Sequence, residues 1–89
     1  IYVTSDNPRS EDPEAILAEI VAGIPAGTPY VALADRREAI RRAIREADPQ
    51  DLILVAGKGH EDYQEIKGRT FHFDDAEEIR AAMKEAGIL

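Results

Sequence analysis

Residues 52–62 read Leu-Ile-Leu-Val-Ala-Gly-Lys-Gly-His-Glu-Asp, and no other stretch constrains the fold as much. Five apolar residues run without a break and stop at Gly57-Lys58-Gly59. A continuous run rich in Val, Ile and Leu predicts a strand covered on both faces. A cation, an imidazole and two carboxylates come directly afterwards, among residues 58–62. In open parallel sheets, ligands bind in the crevice beyond the carboxyl ends of the strands. The loop after this strand is therefore the first candidate site.

The rest of the chain alternates between strand and helix patterns. Tyr2-Val3-Thr4-Ser5 predicts a short strand, broken by Asp6-Asn7-Pro8-Arg9, because a residue before proline is held extended. Asp12 is a candidate N-cap with Pro13 at the first helical position. Ile16, Leu17, Ile20, Val21 and Ile24 fall on one stripe of the helix that follows. Gly23 and Pro25 end it. Tyr30-Val31-Ala32-Leu33 predicts a second strand. Asp35 and Glu38 have capping spacing for a second helix. That helix packs Ala39, Ile40, Ala43, Ile44 and Ala47, shows Arg41, Arg42, Arg45 and Glu46 to water, and stops at Asp48-Pro49. After the run at 52–56, Tyr63-Gln64-Glu65-Ile66 and Arg69-Thr70-Phe71-His72-Phe73 flank Lys67-Gly68 and read as a hairpin. Phe71 and Phe73 are expected on one of its faces. Asp74 and Asp75 are expected to cap a last helix that turns Ile79, Ala82, Met83 and Ala86 inward and closes at Gly87.

The order β-α-β-α-β-hairpin-α predicts an α/β domain of three-layer, Rossmann-like type. The expected sheet is mostly parallel, with helices on both faces and the C-terminal hairpin supplying an edge strand. One domain over residues 1–89 is expected, since no linker, repeat or shift in composition divides the chain. The chain opens at Ile1 without a methionine, which suggests a piece of something longer.

Bulk properties exclude several functions. Eleven basic and eighteen acidic residues give a formal charge of −7. That disfavours a nucleic-acid partner, because phosphate backbones need a cationic surface. No cysteine is present, so thiolate catalysis, disulfides and zinc–thiolate sites are out. The lack of cysteine also fits a cytoplasmic protein. No apolar run approaches the roughly 20 residues of a membrane span, and there is no basic, apolar leader.

Two loops carry the candidate chemistry: Thr4-Ser5-Asp6-Asn7-Pro8-Arg9 and Gly57-Lys58-Gly59-His60-Glu61. Each follows a predicted strand, so parallel strands would bring both to one sheet edge. Arg9 and Asn7 offer donors, and Glu61 with a backbone carbonyl offers acceptors. That set suits a small zwitterion, with a guanidinium on its carboxylate and the acceptors on its ammonium. From spacing alone, Asp6-Asn7-Pro8 reads first as a turn, and Arg9 is equally a solvated charge. Gly57-Lys58-Gly59 fails the Walker pattern and the dinucleotide fingerprint; its plainer reading is a tight turn. His60-Glu61-Asp62 and His72 lack the spacing of a metal site. Ser5 lacks the setting of a nucleophile. No catalytic residue and no metal ligand is assigned.

Taken together, Asp6-Asn7-Pro8-Arg9 and Gly57-Lys58-Gly59-His60-Glu61 resemble the C-terminal domain of the Mur ligases. The likeness is to members that add meso-diaminopimelate to UDP-N-acetylmuramoyl-L-alanyl-D-glutamate (UDP-MurNAc-dipeptide) in peptidoglycan synthesis. It extends through Thr4-Ser5, Ser10-Glu11-Asp12-Pro13 and the 56–64 segment. The resemblance implies that Arg9, with Asn7 beside it, holds the distal carboxylate of diaminopimelate. The Gly57 carbonyl and Glu61 would hold its distal ammonium, and Asp6 and Pro8 would shape the loop. Relatives that add lysine carry a different tetrad, so Arg9 points to diaminopimelate; an unpaired guanidinium would penalise the wrong amino acid.

The reaction so implied is ATP-dependent amide formation through an acyl phosphate. ATP and Mg²⁺ would bind mainly outside this chain, and the UDP-MurNAc-dipeptide would reach it through other domains. This domain would present the amine and close over the site. The first strand and helix of the domain, and a further substrate arginine, are expected to precede Ile1. The isolated polypeptide is therefore expected to be inactive. Lys58 and His60 stay unassigned. The rival readings are a free-standing, non-enzymatic α/β module for an anionic metabolite or nucleotide, and an interaction domain whose loops are only turns.

Overall fold

In the computed structural model, every residue is described except Pro8, Ser10, Pro49, Gly59, His60 and Leu89. Each helix starts where an aspartate carboxylate takes up an orphan backbone N–H. Asp12 accepts from Glu14 at 3.0 Å and opens α1 (Pro13–Ala22), with Pro13 in the first turn. Asp35 accepts from Glu38 at 3.2 Å and opens α2 (Arg36–Glu46). Asp74 accepts from Ala76 and Glu77 and opens α3 (Asp75–Glu85). Each such cap is worth about 1 kcal/mol. Gly87, at φ 78°, stops α3: its N–H reaches the Lys84 carbonyl and that of Ile88 reaches Met83. This is the double closure typical of a left-handed helix end.

The strands β1 (Tyr2–Thr4) and β2 (Val31–Leu33) pair in parallel, with α1 in the crossover between them. The strands β3 (Tyr63–Ile66) and β4 (Arg69–His72) form the expected antiparallel hairpin. Lys67 and Gly68 turn it with φ values of 51° and 76°. Two left-handed residues in succession match the twist of the strands they join. A single parallel bridge, Arg9 to Ile66, connects the loop after β1 to this hairpin.

The core lies between α2 and α3. Ile40, Ile44, Phe73 and Ala82 are buried together, with Val55, Ile79 and Met83 packed against them. Arginines of α2 meet acids of α3 along the seam: Arg36 with Asp75, Arg37 with Glu78, and Arg41 with Glu85. No helix among the described residues is long and apolar enough to cross a membrane.

Four expectations are corrected. Residues 52–56 form no strand, and they are not covered on both faces: Leu52 is 96% and Leu54 87% exposed. Strand-forming composition measures fit to a pleated surface and needs a ladder partner. Among the described residues none pairs with this run, and a cleft of about 510 Å³ lies among it, β1 and α2. The described strands accordingly make two separate two-stranded ladders in an α/β fold.

Phe71 and Phe73 do not share an environment. Phe71 is exposed on β4, whose residues are exposed throughout. Phe73 lies past the strand end, is buried in the core, and ties its N–H to the Asp62 carbonyl at 2.9 Å. The apolar stripe of α1 buries only Leu17, and Ile20 is exposed. Asp75 is not a cap but a helical residue whose carboxylate goes to Arg36. Pro49, expected to help stop α2, lies outside the described residues; the helix ends at Glu46 with Ala47 extended after it.

Candidate functional site

The two loops converge. Asp6, Asn7 and Arg9 line one cleft of about 280 Å³ together with Glu61. Its remaining wall is largely apolar, contributed by Pro13, Ile16, Leu17 and Ile20 of α1, with Thr4 and Ser5 at the end of β1. Pro8, Gly59 and His60 lie outside the described residues.

Asn7 is the hinge of the convergence. Its side-chain oxygen accepts from the Glu65 N–H at 2.6 Å, and its amide nitrogen donates to Glu61 Oε1 at 3.3 Å. Both ends of the amide are thus used inside the protein, and Glu61 is steered by one of them. Tyr63 steers it from the other side, donating its hydroxyl to Glu61 Oε2 at 3.3 Å. The nearby Glu61 charge, and that hydrogen bond, push the Tyr63 phenol above its ordinary pKa; the Arg9 charge pulls weakly the other way. Glu61 retains acceptor capacity beyond these two contacts, because an ionised carboxylate has about four lone-pair sites.

Arg9 is held by its backbone and free at its head. Its N–H donates to the Glu65 carbonyl at 2.8 Å, and its own carbonyl accepts from Lys67. It adopts φ 58°, a left-handed value uncommon outside glycine. Such strain persists only when surroundings over-determine it, and here the bridge to β3 does so. The side chain is 66% exposed, with Glu65 3.6 Å from its Nε. Exposed pairs of this kind contribute little, so the guanidinium is available to a better partner.

Lys58, left unassigned by the sequence, has a structural place. Its side chain is fully buried; Nζ donates to Asp6 Oδ1 at 2.9 Å and to the Tyr63 carbonyl at 2.6 Å. The ammonium also sits 5.9 Å from the centroids of both Tyr63 and Phe73. Lys58 therefore staples the two loops and β3 together from below. Gly57 lies beside Asp6, at φ 117°. A methyl group there would meet only the Asp6 carboxylate at ordinary contact distance, so the backbone, not crowding, asks for glycine.

Sequence reasoning passed over two of these residues. Tyr63 reads as hairpin packing until its hydroxyl is seen on Glu61. Arg36 reads as a first-turn helix residue, yet it is buried beneath both loops. A basic residue in the first turn, against the helix dipole, was the one signal available for Arg36.

Comparison with known proteins decides the family. The family described as "Mur ligase, glutamate ligase domain" matches residues 1–59. The chain belongs to this family. Two similar relatives are both named UDP-N-acetylmuramoyl-L-alanyl-D-glutamate–2,6-diaminopimelate ligase. The Synechococcus elongatus protein is 59% identical over 85 residues, and the Prochlorococcus marinus protein 58% identical over 85. In both cases the match covers 96% of this chain and 17% of the relative. A solved structure of a ligase of that name superposes with a TM-score of 0.89 at 46% identity, over 97% of this chain and 18% of that one. This Mur ligase domain thus spans less than a fifth of the length of the relatives it matches.

Proposed function

We propose that residues 1–89 form the domain of a larger ATP-dependent ligase that receives meso-diaminopimelate for addition to UDP-MurNAc-L-Ala-D-Glu in peptidoglycan synthesis. In the whole ligase the domain takes a three-layer, Rossmann-like arrangement. The observation that carries the substrate reading is that Arg9 and Glu61 line one cleft with an apolar wall. Diaminopimelate has a carboxylate and an ammonium at each end and methylenes between. Arg9 takes the distal carboxylate and Glu61, with the Gly57 carbonyl, the distal ammonium. Ile16, Leu17 and Ile20 cover methylenes. Asn7 and Asp6 act by fixing the loops.

Fixed in this way, the free amine at the other end is oriented for attack on an activated carboxyl, and orientation can supply several kcal/mol of barrier lowering. The described residues do not fit Mg²⁺-ATP. Lys58, the cation of the Gly-rich loop, is committed to Asp6 and the Tyr63 carbonyl, and no described cluster of three or more His, Cys, Asp or Glu would hold a metal. ATP and Mg²⁺ belong to other parts of the ligase, which acts in the cytoplasm. The same commitment of Lys58 weakens the rival reading of a free-standing anion-binding module.

The test is Arg9→Ala in the full-length ligase carrying this domain. Losing a charge-assisted bidentate contact should raise the KM for meso-diaminopimelate by about tenfold or more, leaving that for ATP near its original value. Lysine should then compete better than before. Equal rises for both substrates overturn the reading. Product formed by residues 1–89 alone would also overturn it.

A further inference from the structure

We infer that Arg36 is a positioning residue for the substrate cleft, acting through the backbone from which both of its loops spring. Its guanidinium is buried at the start of α2, and Arg36 does not itself line the cleft. Four hydrogen bonds leave it. Nε donates to Asp75 Oδ1 at 2.8 Å and Nη2 to Asp75 Oδ2 at 2.6 Å, a bidentate pair with α3. Nη1 donates to the Ser5 carbonyl at 3.1 Å, and Nη2 also to the Ala56 carbonyl at 3.2 Å. Ser5 immediately precedes Asp6, and Ala56 immediately precedes Gly57.

One rigid fork therefore sets the separation of the two carbonyls at which the Asp6 and Gly57 loops begin. The planar guanidinium can do this because its donors diverge at set angles. Asp75 fixes the fork in turn, since two parallel bonds leave it no rotation. A surplus of acceptors does the rest: neither carbonyl belongs to a strand ladder, so each is free to be aimed. Residues 52–56 have no strand partner of their own among the described residues, which leaves the bond at Ala56 a principal constraint on where Gly57 and Glu61 sit. Arg36 adds to the ties made by Asn7, Tyr63 and Lys58 in setting the span from Arg9 to Glu61, and a site that grips two poles of one molecule is sensitive to its span.

The inference rests on the diaminopimelate reading above, and the experiment separates the two. Steady-state constants are measured for the full-length ligase as Arg36→Lys, Asp75→Asn, Arg9→Ala and the Arg9→Ala/Arg36→Lys double variant. An ammonium cannot span the fork, so Arg36→Lys should raise the KM for meso-diaminopimelate by about tenfold and that for ATP by less than about twofold. In the Arg9→Ala background the same change should do little, because one of the two poles whose span it sets is already gone. Asp75→Asn should act in the same direction by about threefold; it applies the same criteria if Arg36→Lys does not fold. The inference fails if folded Arg36→Lys or Asp75→Asn leaves the diaminopimelate KM unchanged, or raises all substrate constants equally. It also fails if Arg36→Lys has the same factor in both backgrounds. If Arg9→Ala itself leaves that KM unchanged, the substrate reading is overturned, and the inference with it.

Discussion

The rim of the cleft and its footing are built from the same kinds of residue put to opposite uses. At the rim, Arg9 is two-thirds exposed and its nearest acid, Glu65, is 3.6 Å away. In the footing, Arg36 and Lys58 are buried and committed to the protein's own acceptors. The difference teaches that a cation next to a Gly-rich or Asn-Pro loop is not by that fact a ligand group. What matters is whether its hydrogen-bonding capacity is already spent.

The comparison breaks first at Arg36. Arg36→Met should destabilise the protein by about 3 kcal/mol, because it strands Asp75 and two carbonyls in a poorly solvated place; chemical denaturation measures it. A loss below half that size would mean the footing is not a footing. Lys58→Met should cost less, about 2 kcal/mol in the same assay, since Asp6 is partly exposed and can turn to water. Gly57→Ala should cost about 1 kcal/mol through its positive φ alone. A much larger loss would point to crowding that the geometry does not contain. Arg9→Ala should sit at the far end for stability, within about 0.5 kcal/mol of the parent, while its effect on diaminopimelate is the largest of the four. A rim residue is defined by that inversion.

The smallest effect lies outside both regions and serves as a control on them. His72 on β4 pairs with Glu77 in the first turn of α3, and that hydrogen bond and charge raise the imidazole above its ordinary value of 6.5. A raised folded-state pKa means protons are bound more tightly when folded. The contribution is therefore complete below pH 6.5 and fades as pH rises through the raised value. Glu77→Gln should flatten the fall in melting temperature above pH 6.5 and leave the diaminopimelate KM untouched. If it shifts that KM, the hairpin and the cleft are coupled more closely than the contacts here suggest.

Much of this architecture was legible in the residues. Aspartates at 12, 35 and 74 cap helices because a short carboxylate can always reach the next backbone N–H, whatever lies elsewhere. Lys67-Gly68 turns a hairpin because the flanking strands are adjacent in the chain and pair with each other residue by residue. The two loops were marked as a candidate site by their glycines, proline and charges, and residues of both line one cleft. What was not legible was any property needing a second segment. The run at 52–56 has strand composition, yet two of its leucines face water. The three cations at 9, 36 and 58 look alike in the chain, and only one remains unspent.

By itself, then, the order of residues determined the helix starts, the hairpin turn and which loops hold polar chemistry, because those depend on contacts a few residues apart. Tertiary structure alone decided that Asn7 reaches Glu61, that Lys58 is consumed by Asp6, and that Arg36 sits under both loops. Those contacts join residues 20 to 54 positions apart in the chain, from Arg36–Ala56 to Asn7–Glu61. No local preference encodes such a meeting; it exists only once the packing of α2 against α3 has set the distances.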